Sequence, residues 1–441
     1  MLLVSSTNPH LSADLRQALR ANFAADGGLF CPVVPRWTDW AELIAMPWPA
    51  RGAEIVVRLA DGDLDDGPLR AAAHAALDIV APLRPIGVDR WAFELFHGPT
   101  LAFKDFGARL LAQLLRLADD QPDQLRTVLT ATSGDTGAAV VAAFLGVPGA
   151  RTVVLYPAGA VSPSQERQIA CRGGNSLALQ VNGTFDECQA MVKQAFADTE
   201  LNARLRLTSA NSIHVGRLLA QITYFSEIVA QLWQAGVRQP PVVAVPCGNF
   251  GHLAAGLYAK RLGLPIGKFV VATNRNSTVP DFLTTGIWQP RPSVATPSNA
   301  MDVGAPNNWP RIEQLFDYDI NLLRQELAWC SVSDEHTCCE IARLWRTGYL
   351  ADPHTAVASL ALEQVCQPGE VGVVTATAHP AKFAEVVAPL IGQSVELPSI
   401  LADFVGQPVP QRPLEANYAS LRAWLLATQD GEPSTVPGTA L

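Results

Sequence analysis

A lysine inside an apolar run is the residue best placed to do chemistry. Lys104 follows Leu101–Phe103 and precedes Phe106, in a chain that has five lysines among 32 basic residues. Arginine cannot lose its proton or form an imine, whereas a desolvated lysine can do both. Lys104 therefore predicts a Schiff-base lysine. The alternative is an ordinary lysine whose ammonium reaches water past an apolar stem.

A glycine loop, GNFG at Gly248–Gly251, lies between a predicted strand at 241–245 and a predicted helix at 252–262. Glycines let backbone N–H groups approach an anion, and a helix N-terminus adds positive potential. The spacing matches neither the dinucleotide loop nor the Walker loop. It predicts a site for some other phosphate-bearing cofactor, and a tight strand-to-helix turn is the alternative.

A second strand-to-helix loop, TATSGDTG at 130–137, is rich in hydroxyl groups. Its hydroxyls and glycines predict an anion site suited to a carboxylate. The alternative is helix capping, since serine, threonine and aspartate are common N-caps.

The segment at 375–382 follows a predicted buried strand, at the position where α/β sheets place ligand groups. The Thr377 hydroxyl can hydrogen-bond a neutral ring nitrogen. His379 precedes a proline and is interpreted as a structural turn residue. Lys382 is the rival Schiff-base candidate, but its neighbours are typical of an exposed helix start.

These features together describe one ligand. It has an aldehyde for Lys104, a phosphate for the glycine loop at 248–251 and a ring nitrogen for Thr377. Pyridoxal 5'-phosphate has all three groups.

Composition limits the other possibilities. The chain has 441 residues, 49% of them hydrophobic, a net charge of −9 and eight cysteines without metal-ligand spacing. The acidity and the lack of basic runs argue against a nucleic-acid surface. The scattered cysteines predict reduced thiols in the cytoplasm. We expect no signal peptide, because the first residues lack a basic segment followed by an apolar one. We expect no membrane partner, because no apolar stretch reaches 18 residues.

The elements that must position these residues alternate between strands and helices from Trp91 onward, which predicts an α/β fold with mostly parallel sheets. Residues 11–25 have helical spacing, and 54–59 suit either a strand or a helix start. We predict a mixed N-terminal unit at 1–85, a smaller α/β domain at 86–235, a larger α/β region at 236–428 and a flexible tail at 429–441.

The motifs resemble those of one enzyme family, threonine synthase, in the branch found in yeast and enteric bacteria. The matching strings run in family order and cover about residues 11 to 400: DGGLF (26–30), HGPTLAFKDFGAR (97–109), TATSGDTGAAV (130–140), GNFG (248–251), SNAMDV (298–303), NNWPR (307–311), DPH (352–354) and TAHPAKF (377–383).

The resemblance implies a fold type II pyridoxal-phosphate enzyme, similar to the tryptophan synthase β chain. It would convert O-phospho-L-homoserine and water to L-threonine and phosphate, with Lys104 as Schiff-base lysine and acid–base group. The implied cofactor-binding residues are Lys104, Phe103, Ser133, Asp135, Gly248, Asn249, Phe250, Gly251, His252 and Thr377. The implied substrate-binding residues are Thr132, Ser133, Gly134, Thr136, Ser162, Arg167, Asn211, Ser212 and Arg217.

Three residues depart from the family pattern, namely Cys247, His252 and Thr355. Cys247 and His252 adjoin the loop implied to hold the cofactor phosphate, so they alter its surroundings. Two alternative functions stay open: a phospho-lyase that releases 2-oxobutyrate, and a non-catalytic binding protein. The sequence does not distinguish a monomer from a homodimer.

Overall fold

The computed structural model describes residues 1–428, so the predicted flexible tail at 429–441 lies outside the described residues. The strands are β1 Leu3–Ser5, β2 Ser12–Ala13, β3 Phe30–Pro32, β4 Leu83–Gly87, β5 Arg90–Glu94, β6 Arg126–Ala131, β7 Ala150–Pro157, β8 Ser176–Asn182, β9 Leu207–Ser209, β10 Val242–Pro246, β11 Lys268–Thr273, β12 Leu327–Ser331, β13 Gly372–Ala376 and β14 Pro413–Glu415.

The α-helices are α1 Leu15–Ala21, α2 Trp40–Ala45, α3 Ala50–Ala60, α4 Asp66–Leu77, α5 Lys104–Ala118, α6 Asp135–Phe144, α7 Pro163–Ala170, α8 Phe185–Ala197, α9 Thr199–Leu205, α10 Val215–Gln234, α11 Gly251–Arg261, α12 Thr278–Thr285, α13 Trp309–Leu315, α14 Ile320–Glu326, α15 Asp334–Arg346, α16 Pro353–Val365, α17 Ala384–Ile391, α18 Ser399–Ala402 and α19 Tyr418–Ala427. Short 3₁₀ helices cover Asn299–Met301 and Pro380–Phe383. None of the helices in this described part is long and apolar enough to cross a membrane.

The first compact unit joins Met1–Ala118 to Ser212–Glu396. Its main sheet has the strand order β12-β11-β10-β13-β5-β4, and only β4 runs antiparallel to its neighbour. Ala244 of β10 pairs with Val270 of β11 on one side and with Val374 of β13 on the other. Because β10 and β13 are parallel neighbours, the loops that follow them leave the same edge of the sheet, side by side.

The second compact unit comprises Asp119–Asn211 and, within the described part of the chain, residues 397–428. Its five strands are all parallel, in the order β14-β8-β7-β6-β9. Helices α8 and α19 cover one face with apolar side chains. The buried core there includes Leu129, Leu155, Val181, Met191, Leu205, Leu421 and Trp424.

The N-terminal part of the first unit contains a small antiparallel sheet, β2-β1-β3, and helices α1–α4. The helix predicted over 11–25 is shorter than its spacing suggested. Ser12 and Ala13 pair with β1, and Asp14 then caps α1 in a reciprocal capping box with Gln17. The ambiguous stretch at 54–59 is helical and lies within α3.

The predicted fold class is confirmed: two α/β units have mostly parallel sheets, and the N-terminal part is mixed. The boundaries predicted near residues 85 and 235 do not coincide with the limits of the two compact units. The reason is that each unit is assembled from separated stretches of chain, which a linear division of the sequence cannot represent.

Candidate active site

Lys104 is the first residue of α5, and backbone hydrogen bonds hold the turn before it against the end of β13. The Phe103 N–H donates to the Thr377 carbonyl over 2.9 Å, and the Leu101 carbonyl accepts the His379 N–H over 3.0 Å. The two predicted residues Lys104 and Thr377 are therefore brought to the same edge of the sheet by main-chain pairing, although 273 positions separate them in the sequence.

An aromatic layer packs beside this lysine. The Lys104 Nζ is 5.6 Å from the centre of the Phe103 ring. The His252 ring stacks on the Phe103 ring, and the two ring centres are 4.8 Å apart. Both ring nitrogens of His252 are buried without a hydrogen-bond partner in the described chain. Burial lowers the pKa of His252 to about 3, so the imidazole is neutral near pH 7.

The glycine loop at 248–251 connects β10 to α11. Its N-cap, Phe250, adopts a left-handed φ of +60° and makes no side-chain capping hydrogen bond. The first N–H groups of a helix have no partner within the helix, so this uncapped end is suited to an anion. Gly248 has to be glycine because a Cβ there would lie 2.6 Å from the Ala300 carbonyl oxygen.

Two asparagines brace the loop through its oxygen atoms. The Asn249 carbonyl accepts the Asn308 side-chain amide over 3.0 Å, and the Asn249 side-chain oxygen accepts the Asn307 side-chain amide over 3.1 Å. Arg311 holds Asn308 by a short hydrogen bond and donates to the Phe30 carbonyl over 2.9 Å. These contacts fix the loop without using the backbone N–H groups of Gly248–Gly251.

A buried His–Asp pair supports the same loop from behind. His354 Nδ1 lies 2.5 Å from an Asp352 carboxylate oxygen, and His354 Nε2 accepts the Ala300 N–H over 3.2 Å. This arrangement requires the tautomer protonated at Nδ1. The Ala300 carbonyl packs against Gly248, so the His354–Asp352 pair fixes the backbone segment on which the glycine loop packs.

Lys382 is not exposed, so the sequence-based interpretation of its neighbours is wrong. Its side chain is fully buried, and Nζ donates to the Thr100 carbonyl over 2.8 Å. Sequence neighbours could not show this, because the partner lies 282 positions away. His379 does serve a turn, since its side chain accepts the Ala381 N–H over 3.1 Å and caps the following 3₁₀ helix.

The hydroxyl-rich loop lies in the second unit, between β6 and α6. The buried Thr132 hydroxyl accepts the N–H groups of Gly134 and Gly137 over 3.0 and 2.8 Å. Gly134 has a φ of +139°, and a Cβ there would lie 2.5 Å from the Gln165 side chain. Gln165 in turn donates to Asp135 over 3.0 Å. Thr132 therefore caps the start of α6, which was the alternative to an anion site for this loop.

The remaining predicted residues are distributed over both units. Ser133 and Thr136 are half-buried at the start of α6, and Ser162 caps α7, on which Arg167 lies. Asn211 ends one stretch of the second unit and Ser212 begins a stretch of the first, where the Ser212 hydroxyl accepts the Asn308 amide over 3.2 Å. Arg217 is fully buried on α10, and burial lowers its pKa to about 10.

The sequence reasoning missed the supporting residues Asp105, Asp352, His354 and Asn308. Each is nearly fully buried in the first unit. Their signal was present, since a charged or amide side chain inside an apolar run has to be paired. Two departures also find partners: the Cys247 thiol donates to the Val245 carbonyl over 3.1 Å, and the Thr355 hydroxyl donates to Asp352.

These residues fit pyridoxal phosphate. A half-buried lysine begins α5, a helix N-terminus without a side-chain cap follows a glycine loop, and a hydroxyl-bearing residue, Thr377, follows the neighbouring strand β13. No group of histidine, cysteine and acidic residues suited to a metal ion occurs within residues 1–428.

Comparisons with known proteins agree with this donor set. The sequence profile described as "Pyridoxal-phosphate dependent enzyme" matches residues 82–377, so the chain is an enzyme of that class. The profile described as "Threonine synthase, C-terminal" matches residues 355–424. Threonine synthase from Serratia marcescens is 47% identical over 93% of this chain and 95% of its own length, and that from Escherichia coli is 46% identical over 94% and 96%. The chain therefore belongs to the threonine synthase family.

Solved structures give the same assignment. The crystal structure of threonine synthase from Escherichia coli superposes with a TM-score of 0.92 at 45% identity, covering 97% of this chain and 100% of that one. The pyridoxal-phosphate-bound threonine synthase from Brucella melitensis superposes with a TM-score of 0.89 at 30% identity, covering 97% and 99%.

Proposed function

We propose that this enzyme converts O-phospho-L-homoserine and water to L-threonine and phosphate, using pyridoxal phosphate. The observation that carries the proposal is near-full-length identity of 45–47% to curated threonine synthases from three bacteria. The stacking of Phe103, the residue before Lys104, on His252, the residue after the glycine loop, supports it, because an aldehyde-bearing phosphate cofactor requires an amine and a phosphate-binding loop near each other.

In the first unit, Lys104 Nζ would hold the cofactor aldehyde, the N–H groups of the loop at 248–251 and of His252 would hold its phosphate, and the Thr377 hydroxyl would pair with its ring nitrogen. When bound, the cofactor supplies an electron sink for charge that develops at the substrate α-carbon. Thr377 offers a neutral hydroxyl rather than a carboxylate, so it does not stabilise a protonated ring nitrogen. Phe103 and the neutral His252 stack on each other beside Lys104.

Lys104 also moves protons. Its amine, when unprotonated, would take the proton from the substrate α-carbon and return it to that carbon at the end of the reaction. The overall conversion also removes a proton from the β-carbon, which gains the hydroxyl of water, and replaces phosphate by a proton at the γ-carbon. Lys104 has to reach several substrate atoms in turn, which requires its backbone to be held firmly.

The proposed substrate ligands come from several segments of the chain. Ser133, Gly134 and Thr136, at the start of α6, suit the substrate carboxylate, and Asp135 stays paired with Gln165. For the substrate phosphate we propose Ser162 and Arg167, because the buried Arg167 Nε has no hydrogen-bond partner within the described residues. Eight free cysteines support a cytoplasmic location.

The decisive experiment incubates the purified enzyme with O-phospho-L-homoserine, with and without added pyridoxal phosphate, and quantifies threonine, phosphate and 2-oxobutyrate. Threonine and phosphate should form in equal amounts. If 2-oxobutyrate is the main product, the chain is a phospho-lyase instead. A colourless protein that takes up no pyridoxal phosphate would favour a binding role.

A variant assigns the chemistry to one side chain. Lys104→Ala should lose threonine formation by about 10³-fold or more while its far-ultraviolet circular dichroism stays unchanged. Borohydride reduction of the wild type followed by peptide mapping should place the pyridoxyl group at position 104. A reducible adduct on Lys382 in the variant would overturn the assignment.

A further inference from the structure

Lys382 is a buried lysine with no role in the proposed reaction. It lies in the 3₁₀ helix Pro380–Phe383, and its side chain is fully shielded from solvent. Burying an ammonium is strongly unfavourable unless charged or hydrogen-bonding groups compensate for the lost water. A lysine at such a position therefore has to be explained by what it holds.

Thr100 is held at each of its polar groups. Its carbonyl accepts from Lys382 Nζ over 2.8 Å, its N–H donates to Asp105 over 2.9 Å, and its hydroxyl donates to the same carboxylate over 2.6 Å. Asp105 is only 1% exposed. Burial raises the pKa of Asp105, while its hydrogen bonds from Thr100 and the positive charge of Lys382 oppose that rise.

The turn between Thr100 and Lys104 has a strained backbone. Leu101 has a left-handed φ of +58°, which is unfavourable for a residue with a branched side chain. Gly98 packs so tightly that a Cβ there would lie 2.4 Å from an Asp105 carboxylate oxygen. Strained conformations of this kind persist only where the surrounding contacts over-determine them.

We propose that Lys382 is a positioning residue for Lys104. Together with Asp105 it forms a buried clamp on Thr100, and the clamp holds the strained turn that sets where α5 begins. Lys104 is the first residue of that helix, so the position of the turn determines the position of the Lys104 backbone and amine. The inference rests on the proposed function only in taking Lys104 as the cofactor lysine.

The main test is Lys382→Met, which removes the charge and the donor but keeps the length of the side chain. A displacement of about 1 Å at a reacting group lowers rates by roughly 100-fold. We expect kcat for threonine to fall by about that factor with KM changed by less than about threefold, because the substrate ligands lie elsewhere. Covalent loading of Lys104, measured by borohydride trapping and peptide mapping at limiting pyridoxal phosphate, should fall as well.

The matched control is Lys193→Met, which changes an exposed lysine on α8. It should leave loading and kcat unchanged. Because Lys382→Met removes one of the positive charges near the buried Asp105 carboxylate, the variant can fail to fold. Thr100→Val then decides, since it removes only the hydroxyl donor to Asp105. We expect that variant to fold and to lose about fivefold in kcat at unchanged KM.

The outcomes separate two failures. If wild-type Lys104 carries no pyridoxyl group or the enzyme makes no threonine, the proposed function fails. If the wild type behaves as proposed while Lys382→Met, or Thr100→Val in its place, keeps normal loading and kcat, the clamp is refuted. A fall in stability alone, with loading and kcat intact, refutes it too, because that would show a merely structural role.

Discussion

Two strand-to-helix loops in this enzyme are supported in different ways. The loop at 248–251 leads from β10 into α11, and the loop at 132–136 leads from β6 into α6. In the first, bracing groups contact the Asn249 carbonyl and side chain. In the second, the Thr132 hydroxyl takes up the N–H groups of Gly134 and Gly137.

The difference concerns which atoms are used for support. A loop whose oxygen atoms accept the supporting hydrogen bonds keeps its N–H groups available for a bound anion. A loop whose N–H groups donate to its own side chains has fewer N–H groups left for that anion. A glycine loop at a helix N-terminus is thus best suited to phosphate when neighbouring amides support its carbonyls. The second loop has to rely more on the hydroxyls of Ser133 and Thr136.

The largest expected effect comes from Gly248→Ala. The new methyl would lie 2.6 Å from the Ala300 carbonyl oxygen, so the loop has to shift away from its braced position. Overpacking of about 1–3 kcal/mol predicts roughly a 10- to 100-fold loss of pyridoxal phosphate affinity, measured by equilibrium dialysis. Gly67→Ala is the control, because a Cβ there meets nothing within 4 Å. Equal affinities for the two variants would remove the basis of the comparison.

A smaller effect should follow from removing the support behind this loop. His354→Leu deletes the acceptor for the Ala300 N–H, an interaction worth about 1–3 kcal/mol when the donor is left unpaired. We expect the cofactor to dissociate about tenfold faster. His354→Gln keeps an acceptor at the position of Nε2 and should recover most of the loss. Stopped-flow transfer of the cofactor to an excess apoenzyme measures both rates, and identical rates for Leu and Gln would contradict this role.

Thr132→Val tests the second loop. It removes the internal cap of α6 with little change of shape, and a lost cap weakens a helix start by about 1 kcal/mol. KM for O-phospho-L-homoserine should rise about fivefold while pyridoxal phosphate affinity stays within twofold. A loss of cofactor affinity as large as that of Gly248→Ala would contradict the assignment of cofactor binding to the first loop and substrate binding to the second.

The smallest expected effect is on the free energy of unfolding at acidic pH, and it comes from His252, the residue that follows the loop at 248–251. The pKa of His252 is about 3 in the folded protein and about 6.5 when unfolded, so only the unfolded chain binds this proton between those values. Its contribution to stability is complete above about pH 6.5 and is lost at about 1.4 kcal/mol per pH unit below it. Urea titrations at pH 7.5 and 5.5 should show a smaller drop for His252→Phe than for the wild type, and equal drops would exclude His252 as the cause.

The sequence predicted the positions of these loops well, because strand ends and helix starts carry local signals in glycine, threonine and serine. It could not predict what braces them. The partner of Lys382 is 282 positions away, and the group that His354 supports is 54 positions away. Such contacts depend on how β10 and β13 come to be neighbours. The compact units were likewise hidden, since β14 pairs with β8 across a long intervening stretch.

That last pairing has a consequence for the order of assembly. Leu414 of β14 sits beside Val181 of β8, and Leu421 and Trp424 of α19 fill the same core. A nascent chain leaving the ribosome therefore carries β8 as an unpaired edge strand until β14 at Pro413–Glu415 has been synthesised. Premature termination after residue 396 would remove that cover while sparing every residue proposed to touch the cofactor or substrate.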